Sequence, residues 1–269
     1  MPAIHGAKIA VGGKGGVGKT TVCAILSQLF AEGGYDVLAI DADPDVNLAS
    51  AFGIPQEQSP EPLIKMKELI AERTGTGKDT LGAYFKLNPK VGDVPEEYWY
   101  ETNGLKLLVL GAITQAGAGC ACPEGAFLKA LLTHTMLQRK EVVMVDLAAG
   151  VEFMGRASVQ GIDALVLVVE PGARSIETAN KMAQMARKLG IGLVGAIVNK
   201  VAEPSQGDLI ESQLKDAVLL GTLKYSRSLQ EADLKRTAVF GADAEVTQAL
   251  KHAASRLAEL IAKSNNCDS

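Results

Sequence analysis

An α/β fold, a single domain on a central, mostly parallel β-sheet flanked by helices, follows from two features of the sequence. Short apolar runs at 8–11, 37–40, 105–110, 142–145, 164–169, 193–198 and 218–223 are β-branched-rich and apolar on both faces, the pattern of strands covered on both sides of a sheet. Helical periodicity at 19–32, 127–137, 176–189, 206–217 and 244–263 lies between or after them. Strand followed by helix, repeated, predicts parallel pairing through right-handed crossovers.

The chain has 269 residues, 47% of them hydrophobic and 22% charged, enough for a packed core in an open α/β sheet that stays one unit. Residues 1–269 are expected to form one domain, with a long insertion at about 54–104 where Pro55, Pro60, Pro62, Pro89 and Pro95 surround a predicted helix at 63–73. Tyr84, Phe85, Tyr98, Trp99 and Tyr100 concentrate there in a chain with 4% aromatic residues, which favours a contact surface. The formal net charge of −4 argues against a nucleic-acid partner. No apolar run reaches the ~18 residues of a membrane span, and the start lacks the arrangement of a secretory signal. The expected location is the cytoplasm.

Residues 13–20 read Gly13-Lys14-Gly15-Gly16-Val17-Gly18-Lys19-Thr20, after the first strand and at the start of the first helix, as a phosphate loop does. Glycines let successive backbone N–H groups converge on phosphate oxygens at a helix N-terminus. Lys19 is expected to neutralise β- and γ-phosphate charge and Thr20 to ligate Mg²⁺, with Thr21 completing the ATP-binding loop. Two acidic strand ends point to the same place: 41–47 reads Asp-Ala-Asp-Pro-Asp-Val-Asn, and the strand at 142–145 delivers Asp146. Open α/β sheets bind ligands at such carboxyl ends, so Asp41 and Asp146 are expected on the magnesium side.

Lys14 completes Lys-Gly-Gly-Val-Gly-Lys-Thr, and with it the chain resembles the deviant phosphate-loop ATPases of the P-loop NTPase fold. That superfamily holds the cell-division and chromosome-partition ATPases, the nitrogenase iron protein, iron–sulfur scaffold ATPases and metal-insertion ATPases. The resemblance implies that Lys14 reaches the partner subunit's nucleotide in an ATP-stabilised, face-to-face homodimer. It also implies that Asp43 positions or deprotonates the attacking water in a first switch and that 147–150 form a second switch. Asn199 of the Asn199-Lys200 pair is, on the same resemblance, the adenine contact.

Gly119-Cys120-Ala121-Cys122-Pro123-Glu124 places two thiols just before a helix, whose N-terminus favours the thiolate. Two thiolates supply half of a tetrahedral soft site. His5, His134 and His252 show no supporting spacing, whereas a two-fold dimer supplies Cys120 and Cys122 twice. Lys14 and the cysteine pair then make sense in one symmetric dimer that couples ATP to metal. An inert pair or an oxidised bridge is the plainer alternative.

With the Cys-x-Cys element the resemblance narrows to the CooC family, ATPases that mature nickel-dependent carbon monoxide dehydrogenase. It rests on residues 12–21, 41–47, 119–124 and 146–150, and on Val169-Glu170-Pro171 leading to 174–178. It implies Ni²⁺ at Cys120 and Cys122, and as client that dehydrogenase or its acetyl-CoA synthase relative. The thiolates themselves equally suit Zn²⁺. Three rivals share the fold. An iron–sulfur cluster carrier usually has two residues between its cysteines, not one. A spatial-organising ATPase of the division type carries a basic amphipathic membrane helix where 264–269 read Ser-Asn-Asn-Cys-Asp-Ser. A reductase like the nitrogenase iron protein needs a second-switch cysteine, and 146–156 contain none.

Overall fold

The computed structural model describes residues 4, 6–76, 86–111, 123–134, 141–149 and 161–267. Its strands are β1 (Ala7–Gly13), β2 (Asp36–Ala42), β3 (Tyr100–Thr102), β4 (Leu105–Val109), β5 (Glu141–Leu147), β6 (Ala164–Val169), β7 (Leu193–Val201) and β8 (Val218–Lys224). Among the described residues they form one eight-stranded sheet in the order β3-β4-β2-β5-β1-β6-β7-β8. Only β3 runs antiparallel to its neighbour, and all other pairs are parallel. The helices are α1 (Lys19–Glu32), α2 (Leu48–Ala51), α3 (Lys67–Thr74), α4 (Val94–Tyr98), α5 (Pro123–His134), α6 (Ala173–Lys188), α7 (Pro204–Gln213), α8 (Arg227–Lys235) and α9 (Ala244–Cys267).

Alternate residues of β1 explain why its sequence is apolar throughout. Ile9 and Val11 join a core with Phe30 of α1 and Leu257 of α9, while Ala10 joins a second core with Phe127 of α5 and Met182 of α6. Both faces of the sheet are covered, so neither can be polar. No helix of the described residues is long and apolar enough to cross a membrane.

The expected parallel strands and first helix fall in place; α2, α4 and α8 are not marked by the sequence periodicity, and three further segments differ from expectation. The helix expected at 206–217 is α7, which begins two residues earlier, where Pro204 and a capping box between Glu203 and Gln206 start it. It stops at Gln213 because Asn180 of α6 takes over the backbone, donating to the Gln213 carbonyl (3.0 Å) and accepting from the Lys215 N–H (2.7 Å). The helix expected at 63–73 is a 3₁₀ turn at Leu63–Lys65 followed by α3. The Ile64 N–H donates to Leu110 O at 3.0 Å, which draws the segment onto the sheet and buries Leu63 and Ile70. The third difference is β3, the outer half of a hairpin closed by Asn103 (φ 47°) and Gly104 (φ 76°). That two-residue turn has the sequence and left-handed backbone of a tight hairpin. In the same excursion Lys106 Nζ lies 4.2 Å over the Trp99 ring, whereas Tyr84 and Phe85 lie outside the described residues.

Phe30 is fully buried and meets Tyr35 edge-on at 5.7 Å. Phe30→Ala should cost about 3–5 kcal/mol and lower the calorimetric midpoint by about 10 °C. A loss below about 1 kcal/mol would mean that α1 is not packed against the sheet as described.

Candidate nucleotide site

β1 ends at Gly13 and α1 begins at Lys19, so the phosphate loop lies beside the centre of the sheet, where the strand order reverses. Two glycines are needed for space as well as conformation. A Cβ on Gly13 (φ 151°) would lie 2.5 Å from the Val168 carbonyl oxygen, and one on Gly18 (φ 95°) would lie 2.5 Å from Asn199 Nδ2. The loop's carbonyls are pinned from β7: Lys200 Nζ donates to Gly16 O, and Asn199 Nδ2 donates to Val17 O at 2.9 Å. Within a trans peptide the C=O and N–H point opposite ways, so holding these two carbonyls outward turns the N–H groups of Val17 and Gly18 to the other side, the geometry of an anion-binding nest.

The clamp depends on an irregularity in β7. Its pairing with β8 shifts register between Val198 and Val201, and Lys200 sits at φ 60°, its N–H donating to Asn199 Oδ1 at 2.9 Å. A bulge of this kind re-aims side chains that would otherwise alternate across the sheet. Asn199, expected at the adenine, thus holds the loop. One amide hydrogen and acceptor capacity on Oδ1 remain for a base.

The carboxylates occupy the neighbouring strand ends. Asp41 of β2 and Asp146 of β5 are register partners, and both are fully buried. Burial is the main cause that raises Asp41 to about 6 and Asp146 to about 7. Asp146 Oδ2 accepts from Thr20 Oγ1 at 2.6 Å, while among the described residues its Oδ1 has no partner. Asp41 spends both oxygens on the turn that follows: Oδ1 accepts from the Asp43 N–H (3.1 Å), and Oδ2 from those of Asn47 (3.1 Å) and Leu48 (2.9 Å). Asp41, expected on the magnesium side, therefore shapes the acidic turn and opens α2. Asp43 Oδ2 lies 4.0 Å from Lys19 Nζ, and its Oδ1 accepts from the Asp45 N–H at 3.0 Å.

A buried carboxylate oxygen without a partner, beside a hydroxyl, fits Mg²⁺, which takes one or two protein oxygens and completes its octahedron with waters and phosphate. Among the described residues no group of three or more His, Cys, Asp or Glu is arranged to hold a metal by itself. Ala149, within the expected second switch, packs beside Gly15. Gly150, Cys120 and Cys122 lie outside the described residues.

One residue at the site had no role assigned from sequence. Glu170, at the end of β6, places Oε1 4.0 Å from Lys14 Nζ and Oε2 3.3 Å from Lys200 Nζ, and its N–H donates to Ser175 Oγ at 3.1 Å. The available signal was a carboxylate at a strand end adjoining the strand that feeds the loop.

A carboxyl whose pKa is raised by folding stabilises the fold below its unfolded value, ~4, and loses that contribution as pH rises through the folded value. In EDTA this pair therefore weakens the chain between about pH 4 and pH 7. Asp146→Asn should raise the thermal midpoint in EDTA at pH 8 by on the order of 5 °C while removing magnesium-dependent hydrolysis. An unchanged midpoint would contradict the desolvated carboxyl. Asn199→Ala should raise the KM for ATP about tenfold through loss of the loop clamp, with a smaller change in kcat, in steady-state assays.

Residues 8–239 match the CobQ/CobB/MinD/ParA nucleotide binding domain family. The carbon monoxide dehydrogenase accessory protein CooC of Rhodospirillum rubrum is 45% identical, over 84% of this chain and 86% of its own. An uncharacterised ATP-binding protein of Methanocaldococcus jannaschii is 40% identical, over 84% of this chain and 88% of its own. A chain of the MinC:MinD cell division protein complex of Aquifex aeolicus superposes with a TM-score of 0.68, over 93% of this chain and 95% of that one, at 21% identity, a likeness of fold. On these similarities and the loop geometry, the chain belongs to the CobQ/CobB/MinD/ParA nucleotide-binding family and is an ATPase of its CooC branch.

Proposed function

We propose that this ATPase binds a metal ion, nickel first among the candidates, through Cys120 and Cys122 at the interface of a symmetric dimer. It uses ATP hydrolysis to promote nickel insertion into the active-site cluster of carbon monoxide dehydrogenase or its acetyl-CoA synthase relative. The observation that carries this reading is the 45% identity to an accessory protein of carbon monoxide dehydrogenase, joined to a Cys-x-Cys pair that is half of a soft-metal site.

Residues Gly13 to Thr21 hold the phosphates, and Lys19, 7% exposed in the fold, neutralises their charge. Thr20 and Asp146 would hold Mg²⁺, with Asp41 behind them, and the ion would supply positive charge that offsets the phosphates. Asp43 orients the water whose oxygen bonds to the γ-phosphorus as the bond to the bridging β–γ oxygen breaks, giving ADP and inorganic phosphate. Asn199 and Lys200 hold the loop, and the free edge of the Asn199 amide reads the adenine. Lys14, with its side chain 42% exposed, crosses to the nucleotide of the second copy, and the same approach brings the two cysteine pairs together.

Lys19→Ala should abolish nucleotide binding. Asp43→Ala should bind ATP, hydrolyse it about 10²-fold more slowly and accumulate dimer by light scattering. Wild-type turnover in that variant would remove Asp43 from its role. Anaerobic titration of the reduced chain with Ni²⁺ should give one ion per two chains with dimerisation, and none when Cys120 and Cys122 are both replaced by Ser. Cysteine-independent nickel, or recovery of iron and sulfide on reconstitution, would move the chain to the cluster carriers.

A further inference from the structure

Glu170 is one carboxylate between two lysines, and it holds them unequally. Lys200 is fixed twice, by Glu170 Oε2 at 3.3 Å and by the Gly16 carbonyl. Lys14 stands 4.0 Å from Oε1 with its side chain 42% exposed. We propose that Glu170 is a latch on Lys14, holding that lysine against its own subunit's loop until nucleotide and a second copy draw it away. The proposal rests on the reading in which Lys14 crosses to the partner's nucleotide.

The geometry has the two properties that a latch needs. An ion pair this exposed and this long is worth at most about 1 kcal/mol, so phosphate oxygens carrying several negative charges outcompete it. Releasing Lys14 also strands no charge, because Glu170 keeps Lys200 as its counter-ion and its backbone N–H stays on Ser175 Oγ. The second lysine makes release inexpensive on the carboxylate side. Glu170 in this role is a positioning residue that sets when Lys14 is available.

The test is sedimentation of the full chain in Mg²⁺ and a non-hydrolysable ATP analogue, across protein concentration. Glu170→Gln and Glu170→Ala should both reach half dimer at about fivefold lower protein concentration than the unaltered chain, and Glu170→Asp, which keeps the charge, should stay near it. Weaker dimerisation or loss of nucleotide binding in the Gln and Ala variants would make Glu170 a brace for Lys200 and overturn the latch, as would no change. Lys14→Ala separates the two readings. If it stays monomeric while the Glu170 variants match the unaltered chain, only the latch fails; if it dimerises normally, the cross-subunit role of Lys14 fails and the latch falls with it.

Discussion

Because β2 and β5 pair in parallel and in register, Asp41 and Asp146 stand side by side at their ends, fully buried. Two neighbouring carboxyls removed from water are costly unless hydrogen bonds or a cation meet them, and each is met differently. Asp41 is satisfied by three backbone N–H groups of the turn that follows it, so its burial is converted into the shape of that turn and the start of α2. Among the described residues Asp146 is satisfied on one oxygen only, by Thr20. That asymmetry makes one strand end a scaffold and leaves the other with an oxygen suited to a cation, and it ties the sheet, the acidic turn and the first residues of α1 into one unit.

The phosphate loop is oriented from the opposite side of β1. Asn199 and Lys200 hold two loop carbonyls outward, which fixes the direction of the N–H groups. Their reach depends on the bulge in β7 and on the left-handed backbone at Lys200, a local strain of the kind that persists where surrounding structure over-determines it. Glu170 then joins this fixed frame to Lys14, the exposed cation of the loop. Rigid and releasable parts of the site thus meet at a single carboxylate.

What could be read in the sequence was chemistry with local spacing. The loop from Gly13 to Thr20, and carboxylates at the ends of apolar runs, are recognisable because phosphate and magnesium demand those groups within a few residues of a strand end. The direction of the Asn199 amide was not readable, because it follows from a register shift between two strands. The end of α7 is set by Asn180, more than thirty residues earlier in the chain, and no helical pattern carries that information. The Asn103-Gly104 hairpin was legible in principle, since its turn residues are local, but it lay inside a proline-punctuated stretch that read as irregular. For Cys120 and Cys122 the argument remains one of valence and symmetry, as both lie outside the described residues.

In the proposed dimer each chain's Lys14 completes the nucleotide site of the partner chain. Mixing Lys14→Ala chains with Asp43→Ala chains tests it most directly, through ATP hydrolysis. A mixed dimer places the intact Lys14 of one chain at the nucleotide of the other, which retains Asp43. Alone, Lys14→Ala should not turn over ATP and Asp43→Ala should keep only about a hundredth of the unaltered rate, whereas an equal mixture should recover up to about a quarter of that rate if pairing is random. No recovery on mixing, with both variants still binding nucleotide, would contradict it.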